Sequence, residues 1–284
     1  NPRVAAWEKS GAYNGYTLLS VGFLDGAFLV DMNGRVVHRW DMPFRKAWPS
    51  PTHIHKMAKV STFIDYAYVY PNGDLLAQYS ALGDTPYGYG IVKMDKDSKI
   101  LWTYDDNAHH DFYVDKENGN IYALVHRMMR EAPEGLEDLH FPMLVDYIVI
   151  LSPEGKELKR ISLLDAFSGS PFELALYHGK NGGLAVWDHF HTNSVEKLEP
   201  AIAAKFPLFK AGQILVSIRS MDTVAVIDPD TQKAVWAYTG SWNMQHAAHF
   251  LDNGHIIVFD NNGHVEGGKN FSRVVEFDPV TLEP

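Results

Sequence analysis

The sequence predicts an all-β fold, and within that class a β-propeller. Two observations carry this. A unit made of a turn, a strand, an aspartate with a second turn, and a strand ending in an aromatic recurs about every 40–50 residues, the period of propeller blades. The runs within each unit are short, β-branched and aromatic, and are bounded by Gly, Asn, Asp or Pro, as strands are.

The copies follow in order. The first runs Tyr16–Val21, Phe28–Asp31, the turn Asn33-Gly34, then Val36–Trp40. The second has Asn72-Gly73, Leu75–Tyr79, Ile91–Asp95 and Ile100–Tyr104. The third has Asn118-Gly119, Ile121–Val125, Tyr147–Leu151, the turn Pro153–Gly155, and Leu158–Ile161. The fourth has Gly212, Ile214–Ile218, Val224–Asp228 and Ala234–Tyr238. The fifth has Asn253-Gly254, Ile256–Phe259 and Val274–Asp278, and stops at Pro284 before its expected aromatic strand. Five copies with the last cut short predict six blades, the ring being completed by something beyond Pro284. Asp31, Asp95, Asp228 and Asp278 recur with the unit and read as turn residues. A β-sandwich with coincidental turn spacing is the competing fold.

No linker rich in Pro, Gly or Ser divides the chain, so residues 1–284 read as one propeller domain. Its most irregular part is an insertion around residues 166–212. There a short helix is predicted within Glu196–Leu208, with Leu198, Ile202, Ala203 and Phe206 as its apolar residues.

Composition limits the function classes. The net charge of −10, from 25 basic and 35 acidic residues, argues against a nucleic-acid partner, which needs a basic stripe. With no cysteine, thiolate nucleophiles, disulfides and Cys-ligated metals are excluded. No apolar run reaches the length of a membrane span.

Eight of the 14 histidines fall in pairs: His53/His55, His109/His110, His189/His191 and His246/His249. His109/His110, His191 and His246 each lie just before a turn-and-strand copy, where the innermost strand of a blade belongs. Several blades then deliver imidazoles to one end of a central channel. On a regular strand His189, His191 and Asn193 share a face, His109 and His110 point oppositely, and His249 faces away from His246. His38, His126, His140, His178, His255 and His264 read as ordinary strand and turn residues.

Four stretches resemble the bacterial arylsulfate sulfotransferases and their broader arylsulfotransferase-like branch. They are His109-His110-Asp111-Phe112 before Asn118-Gly119, Trp187-x-x-x-His191-x-Asn193-Ser194, Ser217-x-Arg219, and the run Gln245–Asn261. The resemblance covers roughly residues 65–284. It implies a six-bladed propeller that moves a sulfuryl group from an aryl sulfate to a phenolic acceptor through a sulfated histidine, without a nucleotide sulfate donor or other cofactor. By motif, His246 is the nucleophile. His191, Asn193 and Arg219 surround the sulfuryl oxygens, and His109 or His110 is the acid/base residue. Trp187, Phe190 or Trp242 is available to stack on the substrate ring. The resemblance also implies a periplasmic or secreted protein. The large N-terminal β domain and the cysteine pair of the best-known members are absent from this sequence.

The chemistry suits the residues. Neutral imidazole is a competent nucleophile, fixed donors stabilise the transferring anion, and a second histidine supplies the proton for a departing phenolate. Two other readings compete. One is a metal-binding propeller enzyme using copper, zinc or iron on His53, His55, His110, His189, His191 and His246. The other is a non-catalytic binding propeller.

Overall fold

Short apolar runs cut by Asn-Gly and Asp turns fold as antiparallel up-and-down sheets, since a strand can turn straight back on itself only through such residues. The computed structural model describes residues 8, 10–20, 26–54, 62–81, 88–178, 187–261 and 271–283. They form two compact units, residues 1–109 and 110–284, taken here in turn.

The first unit holds β1 (Thr17–Ser20), β2 (Gly26–Val30) and β3 (Val36–Asp41) in one sheet, followed by a single helical turn, α1 (Phe44–Ala47). Its second sheet is β4 (Thr62–Val69), β5 (Leu75–Ala81), β6 (Gly88–Met94) and β7 (Ile100–Tyr104), in sequence order. Trp40, Phe44, Trp48, Leu75, Tyr79 and Tyr89 fill the core of this unit.

The second unit opens within β8 (Ala108–Val114), the first strand of a sheet completed by β9 (Ile121–Met129), β10 (Met143–Leu151) and β11 (Glu157–Ser162). After α2 (Leu163–Phe167), the next sheet is β12 (Thr192–Lys197), β13 (Ile214–Ile218), β14 (Thr223–Asp228) and β15 (Lys233–Thr239). The last is β16 (His246–Phe250), β17 (Ile256–Asp260) and β18 (Arg273–Phe277).

The all-β propeller class is as expected, but the blade number is not. The described residues hold five sheets, not six, and every strand pairs inside one of them. The expectation of six leaned on an unseen further copy. The repeat unit itself supplied three strands per blade. The missing fourth is the inner strand β4, β8, β12 or β16, whose polar and aromatic residues hide its period.

Both faces of the central strands are buried, which is why they read as unbroken apolar runs. On β13 and β14, Ile214, Val216, Ile218, Ala225 and Ile227 pack toward the β8–β11 sheet in one core cluster. Their neighbours Leu215, Val224 and Val226 pack toward the β16–β18 sheet, with Phe250, Ile256 and Phe277. Strand alternation sorts the two sets.

The repeating aspartates do what turn residues do. Asp31 Oδ1 accepts the Asn33 and Arg35 amides, each at 2.9 Å. Asp95 Oδ1 accepts those of Asp97 and Lys99 at 2.9 Å. Asp228 Oδ1 accepts Asp230 and Thr231 at 2.9 and 3.0 Å, and Asp278 accepts Val280 at 2.7 Å.

Region 166–212, expected to be an insertion, instead contains β12, the first strand of a four-stranded sheet; its other described residues form short helical turns and loops. The predicted helix shrinks to the turn Pro200–Ala203, because Glu196 and Lys197 are claimed by β12. Leu198 and Phe206 still reach the core. Among the described residues no helix is long and apolar enough to cross a membrane.

Candidate active site

Side chains cross from each inner strand to the next in the second unit. The Asp111 carboxylate on β8 accepts the Val195 amide of β12 at 3.0 Å. On β12, Ser194 Oγ accepts the Ala248 amide at 2.9 Å and Glu196 Oε2 accepts Phe250 at 2.9 Å, both on β16. Inner strands present backbone N–H groups that no strand of their own sheet takes. Polar side chains of the neighbouring blade satisfy them. This holds the strand heads in register.

At those heads three imidazoles converge. The His110 ring centroid lies 4.8 Å from that of His191, edge to face, and 6.5 Å from that of His246. His109, next to His110 in β8, is buried at the end of the first unit. His110 is therefore the member of the pair that reaches this cluster.

Arg219 joins from the end of β13. Its amide donates to the His191 carbonyl at 3.3 Å and its guanidinium to Met244 Sδ at 3.0 Å. Among the described residues Arg219 has no carboxylate within ion-pair distance. Asn193 donates its side-chain amide to the Gln245 carbonyl at 2.8 Å. Gln245 in turn donates to Ser217 Oγ, Ile218 O and Thr223 O at 3.0–3.2 Å. Asn193 thus braces the residue before His246, and its Nδ2 is engaged with the backbone.

The geometry also corrects the strand-parity expectations. His189 and His191 precede β12 rather than lying in it, and His191 has φ 50°. His189 packs on Phe190, and burial pushes its pKa down. Ala247 and Ala248 of β16 together oppose the single Val258 of β17, since His246 pairs with Phe259 and His249 with Ile257. The bulge restores parity, so His246 and His249 lie on the same face. His249 meets Glu196 at 3.3 Å, and that hydrogen bond raises its pKa.

Five non-glycine residues of this neighbourhood have positive φ: His110, His191, Asp222, Met244 and Ala247. L-residues rarely adopt that conformation, and such strain gathers at functional sites.

Electrostatics separates the imidazoles. Burial lowers the His246 pKa, against an upward pull from the Met244 carbonyl, and His191 and Arg219 lower it further. At neutral pH His246 is uncharged. The His191 Nδ1 lies 2.5 Å from Asp188 Oδ2, and both residues are buried. The carboxylate accepts the Nδ1–H and so fixes the tautomer and orientation of the ring. Asp146, behind this pair, takes the Thr192 amide at 2.7 Å, and burial pushes it up to about 7.

Sequence reasoning missed Asp188, Asp222, Met244 and Asn261. The signals were the Asp188-x-x-His191 spacing and the end of the Gln245–Asn261 run. Two aromatic candidates fail: Phe190 is core, and Trp242 is buried with its indole N–H on the Asp222 carbonyl at 2.8 Å. Trp187 stays half-buried at the edge. Of the metal candidates, His53 lies in the first unit with Nε2 at 3.0 Å from the Tyr89 carbonyl, and His55 is outside the described residues.

Residues 68–281 match the arylsulfotransferase (ASST) family, over most of the chain and all four motifs. The chain belongs to that family. The arylsulfotransferase match agrees with the span read from the motifs. No curated protein sequence matches significantly.

Solved structures agree on the fold. A protein of unknown function from Bacteroides caccae aligns with a TM-score of 0.53 at 15% identity, covering 93% of this chain and 74% of that one. Kuenenia stuttgartiensis hydrazine synthase aligns with a TM-score of 0.53 at 10% identity, over 92% of this chain and 67% of that one. The WD40 β-propeller domain of Doa1 aligns with a TM-score of 0.50 at 13% identity, over 93% of this chain and 61% of the other. At such identities the likeness is one of fold alone.

Proposed function

We propose that this arylsulfotransferase family member moves a sulfuryl group from an aryl sulfate to a phenol through a sulfated His246, without a nucleotide donor or cofactor. One observation carries the reading. Arg219, a guanidinium with no carboxylate partner among the described residues, reaches Met244 Sδ at 3.0 Å, and the carbonyl of that same Met244 lies 3.0 Å from Nδ1 of the half-buried His246, whose pKa burial lowers and Arg219 lowers further. A cation left uncompensated beside a nucleophile is an anion site.

In the proposed reaction His246 Nε2 attacks sulfur while Arg219 stabilises the equatorial oxygens, as donors do in phosphoryl transfer. In the motif reading the acid/base role falls to His109 or His110. The Asp188 contact favours His191, whose Nε2 gives a proton to the departing aryloxide and takes one from the acceptor phenol. His110, against His191, completes the imidazole wall. Family membership supports a periplasmic or secreted setting.

A metal held by His110, His191 and His246 is the second reading, prompted by the approach of three imidazole rings, whose nitrogens do not gather within 4.8 Å of one another. Arg219 weighs against it, since a guanidinium that depresses His246 also repels a bound cation.

The test is an assay with 4-nitrophenyl sulfate and a phenol acceptor, with enzyme quenched during turnover and weighed. We expect ping-pong kinetics and one sulfuryl group on the His246 peptide. Transfer that stops on chelation and returns with copper, zinc or iron would favour the metal reading.

A further inference from the structure

Met244 is not a motif residue, yet three side chains address its backbone, besides the Arg219 guanidinium on its sulfur. Asp222 Oδ1 accepts its amide at 2.8 Å. Asn261 Nδ2 donates to its carbonyl at 2.7 Å. His246 Nδ1 lies 3.0 Å from the same carbonyl oxygen. The backbone is held in a left-handed turn, with φ 55° at Met244 and 48° at Asp222. The Asp222 carbonyl also receives the Trp242 indole N–H at 2.8 Å. Such a peptide is fixed from both sides.

We propose that the Met244 carbonyl, set in place by Asp222 and Asn261, keeps a proton on His246 Nδ1 throughout the reaction, and that Asn261 is a positioning residue for the nucleophile. The proposal rests on the reading of His246 as the nucleophile and specifies how that role is maintained.

Asn261 Nδ2 is 2.8 Å from His246 Nδ1 as well as 2.7 Å from the carbonyl. Two proton arrangements compete. In one, Nδ1–H and the Asn261 N–H both donate to the carbonyl oxygen, one to each lone pair. In the other, Asn261 donates to Nδ1, the imidazole proton moves to Nε2, and the Nδ1 lone pair faces the carbonyl lone pair at 3.0 Å. A carbonyl has no proton to give, so that contact is repulsive. The first arrangement gives both N–H groups an acceptor and leaves the Nε2 lone pair available, against a 2.8 Å approach of two donor nitrogens.

The proton matters in both half-reactions. When Nε2 forms its bond to sulfur, the sulfur–aryl oxygen bond breaks and the aryloxide takes a proton from His191. The ring that remains carries sulfur on Nε2 and hydrogen on Nδ1, and is cationic. The acceptor phenol then gives its proton to His191 and attacks sulfur, and the nitrogen–sulfur electron pair returns to Nε2. The leaving group is neutral imidazole. Without the Nδ1 proton it would be imidazolate, and the intermediate would stall. The ring is faced by His110, His191 and Arg219, none of which offers Nδ1 an acceptor.

The experiment is nitrogen-15 NMR of histidine-labelled protein, without substrate, in wild type and Asn261→Asp. Wild type should show neutral His246 with its proton on Nδ1; a proton on Nε2 overturns the proposal. In Asn261→Asp the new carboxylate should keep the Nδ1 proton and raise the His246 titration by about one pH unit. The acidic limb of the pH–rate profile should move with it. A titration that stays put overturns the role of Asn261. A protein that transfers no sulfuryl group still gives the NMR answer, so failure of the sulfotransfer reading is told apart.

Discussion

Strand β12 and its flanks carry two polar clusters with opposite electrostatic logic. At the far end Lys197 is buried, with Nζ at 2.8 Å from Asp115, 3.3 Å from Glu117 and 3.5 Å from Glu199. Burial alone would lower the Lys197 pKa, yet Asp115 and its neighbours raise it on balance. Three carboxylates surround one cation, and Tyr113 adds a hydrogen bond to Glu199. At the near end Arg219 has a thioether and, among the described residues, no carboxylate; burial lowers the His246 pKa, and backbone strain accumulates. The compensated cluster is a brace between blades. The uncompensated one is poised for a ligand. Polar residues alone do not distinguish them; the local charge balance does.

Substitutions at the two ends should therefore fail differently. The largest effect is expected from His246→Ala, which should cut transfer roughly 10⁴-fold or more while leaving the melting temperature nearly unchanged. Release of 4-nitrophenol and loss of the sulfated peptide would report it; substantial transfer by the variant would reject the nucleophile.

Next is Lys197→Met at the other end. Removing one partner of a buried ion network should cost about 3–5 kcal/mol of stability, read by denaturant unfolding. The folded fraction should keep its activity. Lost activity at full stability would erase the contrast between the two clusters.

Arg219→Ala should do the reverse. We expect about 2–4 kcal/mol on the barrier, the range for a lost oxyanion donor, and a stability change within about 0.5 kcal/mol. Strong destabilisation would mean that the guanidinium is structural.

The smallest effect sharpens the middle of the strand. Asp111 is half-buried, and the desolvation of its carboxyl between the strands pushes its pKa up to about 7 from 3.8. The folded state then holds the proton more tightly than the unfolded one. The stability this group contributes is full below pH 3.8 and is lost as pH rises through about 7. Asp111→Asn should raise the melting temperature by a few degrees at pH 8, and by less at pH 5. An equal change at both pH values would mean that the carboxylate does not titrate in that window.

His249 shows where sequence logic stops. Regular alternation puts it opposite His246, but the bulge in β16 brings both to one face. Nothing in His246-Ala247-Ala248-His249 announces an extra residue in the ladder. Asn193 is similar: its place near His246 was legible, whereas its bond to the Gln245 carbonyl was not.

By itself the sequence determined the all-β class, the outer three strands of each full blade, the turn role of the repeating aspartates, and the set of side chains at the inner strand heads. Each follows from local signals: strand period, turn chemistry and motif spacing. Tertiary structure alone decided the number of sheets, the choice of His110 over His109, the pairing of Asp188 with His191, and the address of Met244. Those depend on where inner strands from different blades come to lie against one another. Bulges and left-handed residues set that placement, because a single such residue reverses every face beyond it.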